Sequence, residues 1–336
     1  MNWKLWNCLW LVVFYCTCCS PSKNTVRSIE INDSAGPNPW TNLNWNNKSE
    51  NFQFVVVTDR TGGNRPGVFE QGVAKVNLLQ PEFVMSVGDL IQGYTDDLEA
   101  LNQEWDDFDS FVEGLEMPFF YVPGNHDITN KVMEDLWTER YGRTYYHFVY
   151  QNVLFLCLNS EETIEPSNGD GRYNTRDFYL SDAQRSYIKQ TLDQYQDVRW
   201  TMLFWHKPVW LYQGSDNPEL TEWIPQSGWP EVQNWLKDRK HTVFAGHIHR
   251  YDYQQINNND YITLATTGGG SALRGPIFGQ LDHVLWVTMT DDGPVMANLM
   301  LDGIFDKDFQ KDDIENNLTL ALQNKVVRVD SQLDRN

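Results

Sequence analysis

Five apolar runs of this chain each stop in residues that can hold a metal ion or move a proton, and that pattern restricts the fold more than any other feature. Val55-Val56-Val57 runs into Thr58-Asp59-Arg60, and Phe83-Val84-Met85-Ser86-Val87 into Gly88-Asp89. Phe119-Phe120-Tyr121-Val122-Pro123 delivers Gly124-Asn125-His126-Asp127. Thr201 to Trp205 ends at His206, and Thr242 to Ala245 at Gly246-His247-Ile248-His249. Short apolar runs bounded by Gly, Pro or polar clusters are buried strands, and loops at strand ends are where a rigid sheet carries its functional groups. Singly, each residue has a plainer reading. Asp59 and Asp89 suit turns, Asp127 could cap a helix running from Ile128 to Tyr141, and a lone His206 suits a hydrogen-bonded core position. Residues scattered independently would not all fall at strand ends, so the set predicts one metal-binding site.

Between these runs the sequence alternates period. Pro66 to Leu79 reads as a helix with Pro near its start, and Leu98, Leu101, Trp105, Phe108 and Val112 give Asp96 to Leu115 helical spacing. Strand, helix, strand, helix, strand is a βαβ series and predicts a mostly parallel sheet. Tyr145 to Asn159 is expected to be a hairpin around Gln151-Asn152, Glu161 to Asp177 a polar loop, and Ser181 to Tyr195 a helix with Ser181 and Gln184 at capping-box spacing. Trp210 to Trp229, just after His206, is a candidate wall for the site, although core packing of its Trp residues competes. Tyr251 to Leu301 alternates short strands and turns and is expected to be antiparallel. His147 and His241 suit structural places, and His283 beside Asp282 stays open. Gly268-Gly269-Gly270 suits a turn or a close backbone approach to phosphate.

With 336 residues, 41% of them hydrophobic, the chain can bury a full core and is expected to be one large α/β domain over 51–305. Residues 20–50, rich in Ser, Asn, Pro and Gly, read as a linker, and 306–336 as a polar extension. A formal net charge of −20 argues against an extended nucleic acid as ligand, because no basic excess exists to release counterions. Small phosphoesters remain open, since bound metals reverse the local charge. Of the five Cys, only Cys157 lies in the body, which rules out a disulfide scaffold. Residues 1–19 carry Lys4 and an apolar core from Leu9 to Tyr15, followed by Cys16, Cys18 and Cys19. That pattern is expected to be an export signal of lipoprotein type, one of those three Cys being acylated and tethering a periplasmic or cell-surface protein. An ordinary cleaved signal is the alternative.

In their order, Gly88-Asp89, Gly124-Asn125-His126-Asp127, His206 and Gly246-His247-Ile248-His249 resemble the calcineurin-like, purple-acid-phosphatase-like metallophosphoesterase signature over roughly Phe52 to Leu301. The resemblance implies a four-layer α/β/β/α sandwich. It also implies a dinuclear site of Mn, Fe or Zn in which a metal-bound hydroxide hydrolyses a small phosphomonoester or phosphodiester. Asp89 would bridge the two metals, Asn125, His206 and His247 would complete one, and Asp59 and His249 would hold the other. His126 would contact a phosphoryl or leaving-group oxygen, Asp127 could fix its tautomer, and Arg60 could clamp the substrate or pair with an acid. One element departs: the family opens Asp-x-His, whereas this chain reads Asp59-Arg60-Thr61. Thr61, or Asn64 if the Gly62-Gly63 turn folds back, would have to stand in for the missing imidazole. A non-catalytic surface binding protein on a degenerate scaffold is therefore the competing expectation.

Overall fold

A computed structural model describes residues 29–32, 36–45, 51–162, 178–213, 216, 218–301 and 304–306. The signal and lipoprotein expectation for 1–19, most of the polar loop to Asp177 and the extension from 307 lie outside those residues.

In chain order the first half holds β1 (Glu30–Ile31), β2 (Phe52–Val57), α1 (Val68–Leu79), β3 (Phe83–Ser86), α2 (Leu98–Val112), β4 (Phe119–Phe120) and α3 (Lys131–Tyr141). It continues with β5 (Tyr146–Tyr150), β6 (Val153–Cys157), α4 (Asp182–Gln194), β7 (Trp200–Phe204), α5 (Pro218–Trp223) and α6 (Trp229–Leu236). The remainder is β8 (His241–Ala245), β9 (Asp252–Ile256), β10 (Asn259–Thr263), β11 (His283–Thr290), β12 (Gly293–Met300) and β13 (Ile304–Asp306). Two mixed sheets form. One has seven strands in the order β1-β5-β6-β7-β8-β10-β9, the other six in the order β13-β12-β11-β2-β3-β4.

Strand periodicity builds the layers. On β2, Phe52, Phe54 and Val56 enter the cluster between the sheets, while Val55 and Val57 face the cluster that also holds Phe69, Leu101, Trp105, Phe108 and Trp137 from α1 to α3. On β6, Val153, Phe155 and Cys157 point to the inter-sheet cluster and Leu154 and Leu156 to a third, which includes Ile188 of α4 and Val232 of α6. Strands apolar on both faces are what a sheet covered on both sides requires. The result is the four-layer α/β/β/α sandwich. Its inter-sheet layer is dominated by rings: Phe148 stacks on Phe155 at 4.6 Å, and Phe204 on Phe244 at 4.9 Å.

Local expectations were met at several points. Gln151 and Asn152 take positive φ at the hairpin turn, and Asp97 caps α2 by accepting from Glu99 and Ala100 N–H. Ser181 caps α4, but Gln184 does not close a capping box. Its amide instead bonds Asn159 O and the Glu162 carboxylate. β9 with β10 and β11 with β12 are antiparallel, whereas β10 also runs parallel to β8. The linker reading of 20–50 needs correction, because Glu30 and Ile31 pair with Val149 and Phe148, and Trp40 and Trp45 pack into the inter-sheet core. Among the described residues no helix is long and apolar enough to cross a membrane.

Candidate metal centre

β2, β3 and β4 are parallel neighbours in one sheet and β7 and β8 in the other, so their carboxyl ends open on the same side of the sandwich. Asp59, Asp89 and Asn125 leave the first set, and His206, His247 and His249 the second. Their ligand atoms meet. One oxygen or nitrogen each from Asp89, His206 and His247 lies within 4.8 Å of the others, as does one each from Asp59, Asp89 and His249. Asp89 belongs to both groups, which is the position a bridging carboxylate occupies.

The backbone makes this approach possible at some cost. Asp59, Asp89, His247 and His249 all have positive φ, a region costly to side chains and typical of functional loops. Gly88 abuts Gly124: a Cβ on Gly88 would lie 2.6 Å from Gly124 N, so the Gly88-Asp89 and Gly124-Asn125 loops touch only because both carry glycine.

Hydrogen bonds then aim acceptor atoms at one point. Nδ1 of His206 lies 2.8 Å from Val87 O and Nδ1 of His249 2.6 Å from Gly270 O, which places the Nδ1–H there and turns each Nε2 inward. Asn125 donates its Nδ2 to the Tyr94 hydroxyl at 2.6 Å, which turns Oδ1 inward as well. His206 Nε2 thus lies 2.9 Å from Asn125 Oδ1, 3.1 Å from Asp89 Oδ2 and 3.2 Å from His247 Nδ1. His249 Nε2 lies 3.3 Å from Asp59 Oδ1. Converging oxygens and imidazole nitrogens, buried at Asp59, Asp89, Asn125 and His206 and partly buried at His247 and His249, repel one another unless a cation or protons sit among them. The donor set fits two transition-metal ions with oxygen and imidazole ligands.

The titration behaviour is that of such a pocket. Burial opposes charge on His206, but Asp89 outweighs it and raises the imidazole to about 10; Asp59 likewise raises His249 to about 9 against its burial. Burial, with charge on His206 and Lys207, pushes His247 well below its usual value. Burial also opposes ionisation of Asp89, yet His206, His126 and His247 hold its carboxyl below the normal range.

Two expectations fail. Asp127 does not touch His126. Its carboxylate accepts four backbone N–H groups, from Asp89 and Gly124 at 2.8 Å on one oxygen and from Leu90 at 2.8 Å and Ile91 at 3.1 Å on the other. His126 is oriented instead by Gln92 O, 2.7 Å from its Nδ1, and its ring stands edge-on to Tyr94. Among the described residues Arg60 makes no ion pair with an acid. Its guanidinium lies 4.9 Å over Phe111 and donates to Leu90 O at 3.0 Å, directed into the helix layer. Asn64 is exposed, whereas Thr61 is wholly buried.

Other residues support the centre without having been flagged. Arg65 donates to Gly269 O at 2.9 Å and grips both oxygens of Asp282, fixing the glycine triplet. That triplet is a close backbone contact: a Cβ on Gly269 would sit 2.5 Å from the carbonyl oxygens of Asp59 and Thr61. Lys207 and Glu161 form a buried ion pair at 2.7 Å, and Ser160 bonds Glu161 while accepting the N–H of His206 at 3.3 Å. Trp210 and Trp229 are core residues packed with Trp205, and Trp223 is partly buried against the same cluster, so none of the three forms a wall. His147, His241 and His283 are held by Tyr187, Tyr261 and Asn298 and take no part.

Comparison with known proteins agrees with this geometry. The calcineurin-like phosphoesterase profile matches residues 52–251, more than half of the chain. The chain belongs to that family. A curated relative, the serine/threonine-protein phosphatase CPPED1 of Pongo abelii, is 27% identical over 211 residues, covering 59% of this chain and 64% of the relative. The chain thus matches less than two thirds of that relative's length. A dimetal phosphatase of Danio rerio superposes with a TM-score of 0.57 at 14% identity, over 76% of this chain and 98% of that one. A purple acid phosphatase, PPD1 of yellow lupin, gives 0.55 at 13% identity over 77% of this chain and 53% of that one. At such identities the likeness to the two structures is one of fold. As a calcineurin-like phosphoesterase, the chain comes from a family of metal-dependent phosphoesterases, with candidate Asp and His metal groups at the strand ends.

Proposed function

We propose that this chain hydrolyses a small phosphoester, monoester or diester, at a centre of two metal ions drawn from Mn, Fe and Zn. The observation that carries the reading is Asp89, whose carboxylate belongs to both ligand groups. Bound there, the ions would supply an activated water nucleophile and offset charge on the phosphoryl oxygens. Asn125, His206 and His247 would hold one ion, and Asp59 and His249 the other. His126, part-exposed and fixed through Nδ1, presents Nε2 to the space beside Gly62 and His249, where it can donate a proton to the leaving oxygen. Its orientation comes from the Gln92 carbonyl, not from a carboxylate.

The CPPED1 relatives are serine/threonine-protein phosphatases, which adds phosphoserine and phosphothreonine peptides to the substrates worth testing. The experiment is a panel of aryl phosphates, aryl phosphodiesters, nucleotides and phosphopeptides, each with Mn, Fe or Zn added to metal-free protein. Turnover of at least one ester that depends on metal and is lost in Asp89→Asn supports the reading. Two bound metals with no turnover across the panel would support a binding protein instead. We further propose that the protein is exported and held to a membrane through an acylated Cys16, Cys18 or Cys19, a reading that rests on sequence pattern and is testable by labelling with a fatty-acid analogue.

A further inference from the structure

The metal assigned to Asp59, Asp89 and His249 has one protein ligand fewer than the family pattern supplies, and the residue at the vacated place is Thr61. Thr61 has no exposed surface, and its hydroxyl donates to Oε1 of Gln92 at 2.7 Å. The backbone holds these two residues opposite each other. Asp59 N–H donates to Gly88 O at 3.2 Å, and Arg60 and Thr61 N–H both donate to Asp89 O, at 3.0 and 3.2 Å. The loop that carries Asp59 is thereby laced to the loop that carries Asp89, and three residues beyond Asp89 the chain sets Gln92 against Thr61. The main chain of Gln92 is also committed, since its carbonyl orients His126. One residue therefore touches the first-motif loop through its side chain and the proton-transferring imidazole through its backbone.

We infer that Gln92 supplies its side-chain carbonyl oxygen as the remaining protein ligand of that metal, with Thr61 as the residue that orients it; the inference rests on the two-metal reading above. An amide oxygen has two lone pairs. The Thr61 hydroxyl takes one and leaves the other for a cation, the usual relation between a ligand and the outer group that aims it. Gln92 itself is exposed, so its long side chain meets the buried hydroxyl from the solvent side. Chemically the exchange is a neutral oxygen for a neutral nitrogen. Oxygen donors suit Mn²⁺ and other hard ions, whereas imidazole suits Zn²⁺. The two metals should therefore differ in kind. The Asn125, His206, His247 group, with two imidazoles, fills first and prefers Zn²⁺ strongly, and the other group fills second with a weaker preference for Zn²⁺ over Mn²⁺.

The test is calorimetric titration of metal-free full chain with Mn²⁺ and with Zn²⁺, free Mn²⁺ being followed by electron paramagnetic resonance. Wild type, Gln92→Ala, Gln92→Glu and Thr61→Val are compared. Wild type should bind two equivalents. Gln92→Ala should weaken the second by roughly 10–100-fold and leave the first unchanged. Gln92→Glu, of equal reach and anionic, should restore or tighten it, and Thr61→Val should weaken it less than Gln92→Ala does. Because Gln92 is exposed, its thermal midpoint should not move, which separates ligation from packing. Two wild-type equivalents that Gln92→Ala leaves untouched, or a Gln92→Glu no better than Gln92→Ala, would overturn the inference alone. A single wild-type equivalent would remove the two-metal reading and the inference with it.

Discussion

The carboxylate of Asp127 accepts the backbone N–H of Asp89 at 2.8 Å, so the residue next to His126 secures the peptide of the carboxylate shared by both candidate metal groups. The same carboxylate holds Gly124, Leu90 and Ile91, and in doing so fixes the loops that carry Asp89 and Asn125. Asp127→Asn keeps the shape but turns an NH₂ toward backbone N–H donors. Two of the four N–H donors lose their acceptor, and at about 1–3 kcal/mol for each buried donor left unpaired a loss of stability on the order of 3 kcal/mol is expected. Denaturant unfolding measures it. An unchanged midpoint together with an altered pH dependence of turnover would return Asp127 to the His126 side of the site.

His126→Ala should lower turnover by roughly 10²–10⁴-fold while leaving metal content unchanged, because the ring touches the site through Nε2 and its own support comes from Gln92 O. Esters with good leaving groups should suffer least. Equal losses for good and poor leaving groups would mean that His126 binds phosphate and does not protonate.

His283 gives the fold a pH limit independent of the metals. It is wholly buried between Asn298 Oδ1, 2.6 Å from Nδ1, and the Ala265 N–H, which donates to Nε2 at 3.0 Å. Burial holds it at about 4, below the 6.5 of a free imidazole. A depressed histidine is protonated first in the unfolded chain, so the stability it contributes is complete above pH 6.5 and is lost as pH falls toward 4. At about 1.4 kcal/mol per unit the loss is roughly 3 kcal/mol. Thermal midpoints measured from pH 7 to 5 should fall, and His283→Gln should flatten that slope. A slope unaffected by the substitution would assign the loss to other groups.

Lys207→Met should destabilise the protein by roughly 3–5 kcal/mol, because it leaves Glu161 charged and unpaired with side chains only 2% and 1% exposed. Adding Glu161→Gln should recover part of that. A double variant no more stable than the single one would mean that Lys207 acts through something other than its ion pair.

The strand ends were legible in the sequence because a buried strand must stop being apolar where it leaves the sheet, and six candidate ligands fall at those stops. The helices were legible from spacing, with ends displaced by at most three residues. Side-chain directions in the loops were not. Asp59 takes φ 28°, and the turn it makes sends Arg60 to Phe111 and Thr61 to Gln92, which no periodicity encodes. Adjacency also misled at His126 and Asp127, since neighbours on a tight turn point apart. Arg65 and Asp282 stand 217 residues apart and act on the site through a backbone carbonyl, so no local motif announces them. Thr61 was visible as an anomaly, but its partner Gln92 was not.

Whether Asp89 joins two metal ions in one hydrolytic centre is decided by metal analysis and phosphoester turnover measured together, against buffered free metal, for wild type and Asp89→Asn. The wild-type chain should bind two ions, loaded in two steps, with turnover rising as the second loads. Asp89→Asn should retain at most one ion and have no turnover. Full turnover with one ion bound, or an Asp89→Asn variant that keeps both ions and near-normal turnover, would contradict the two-metal reading.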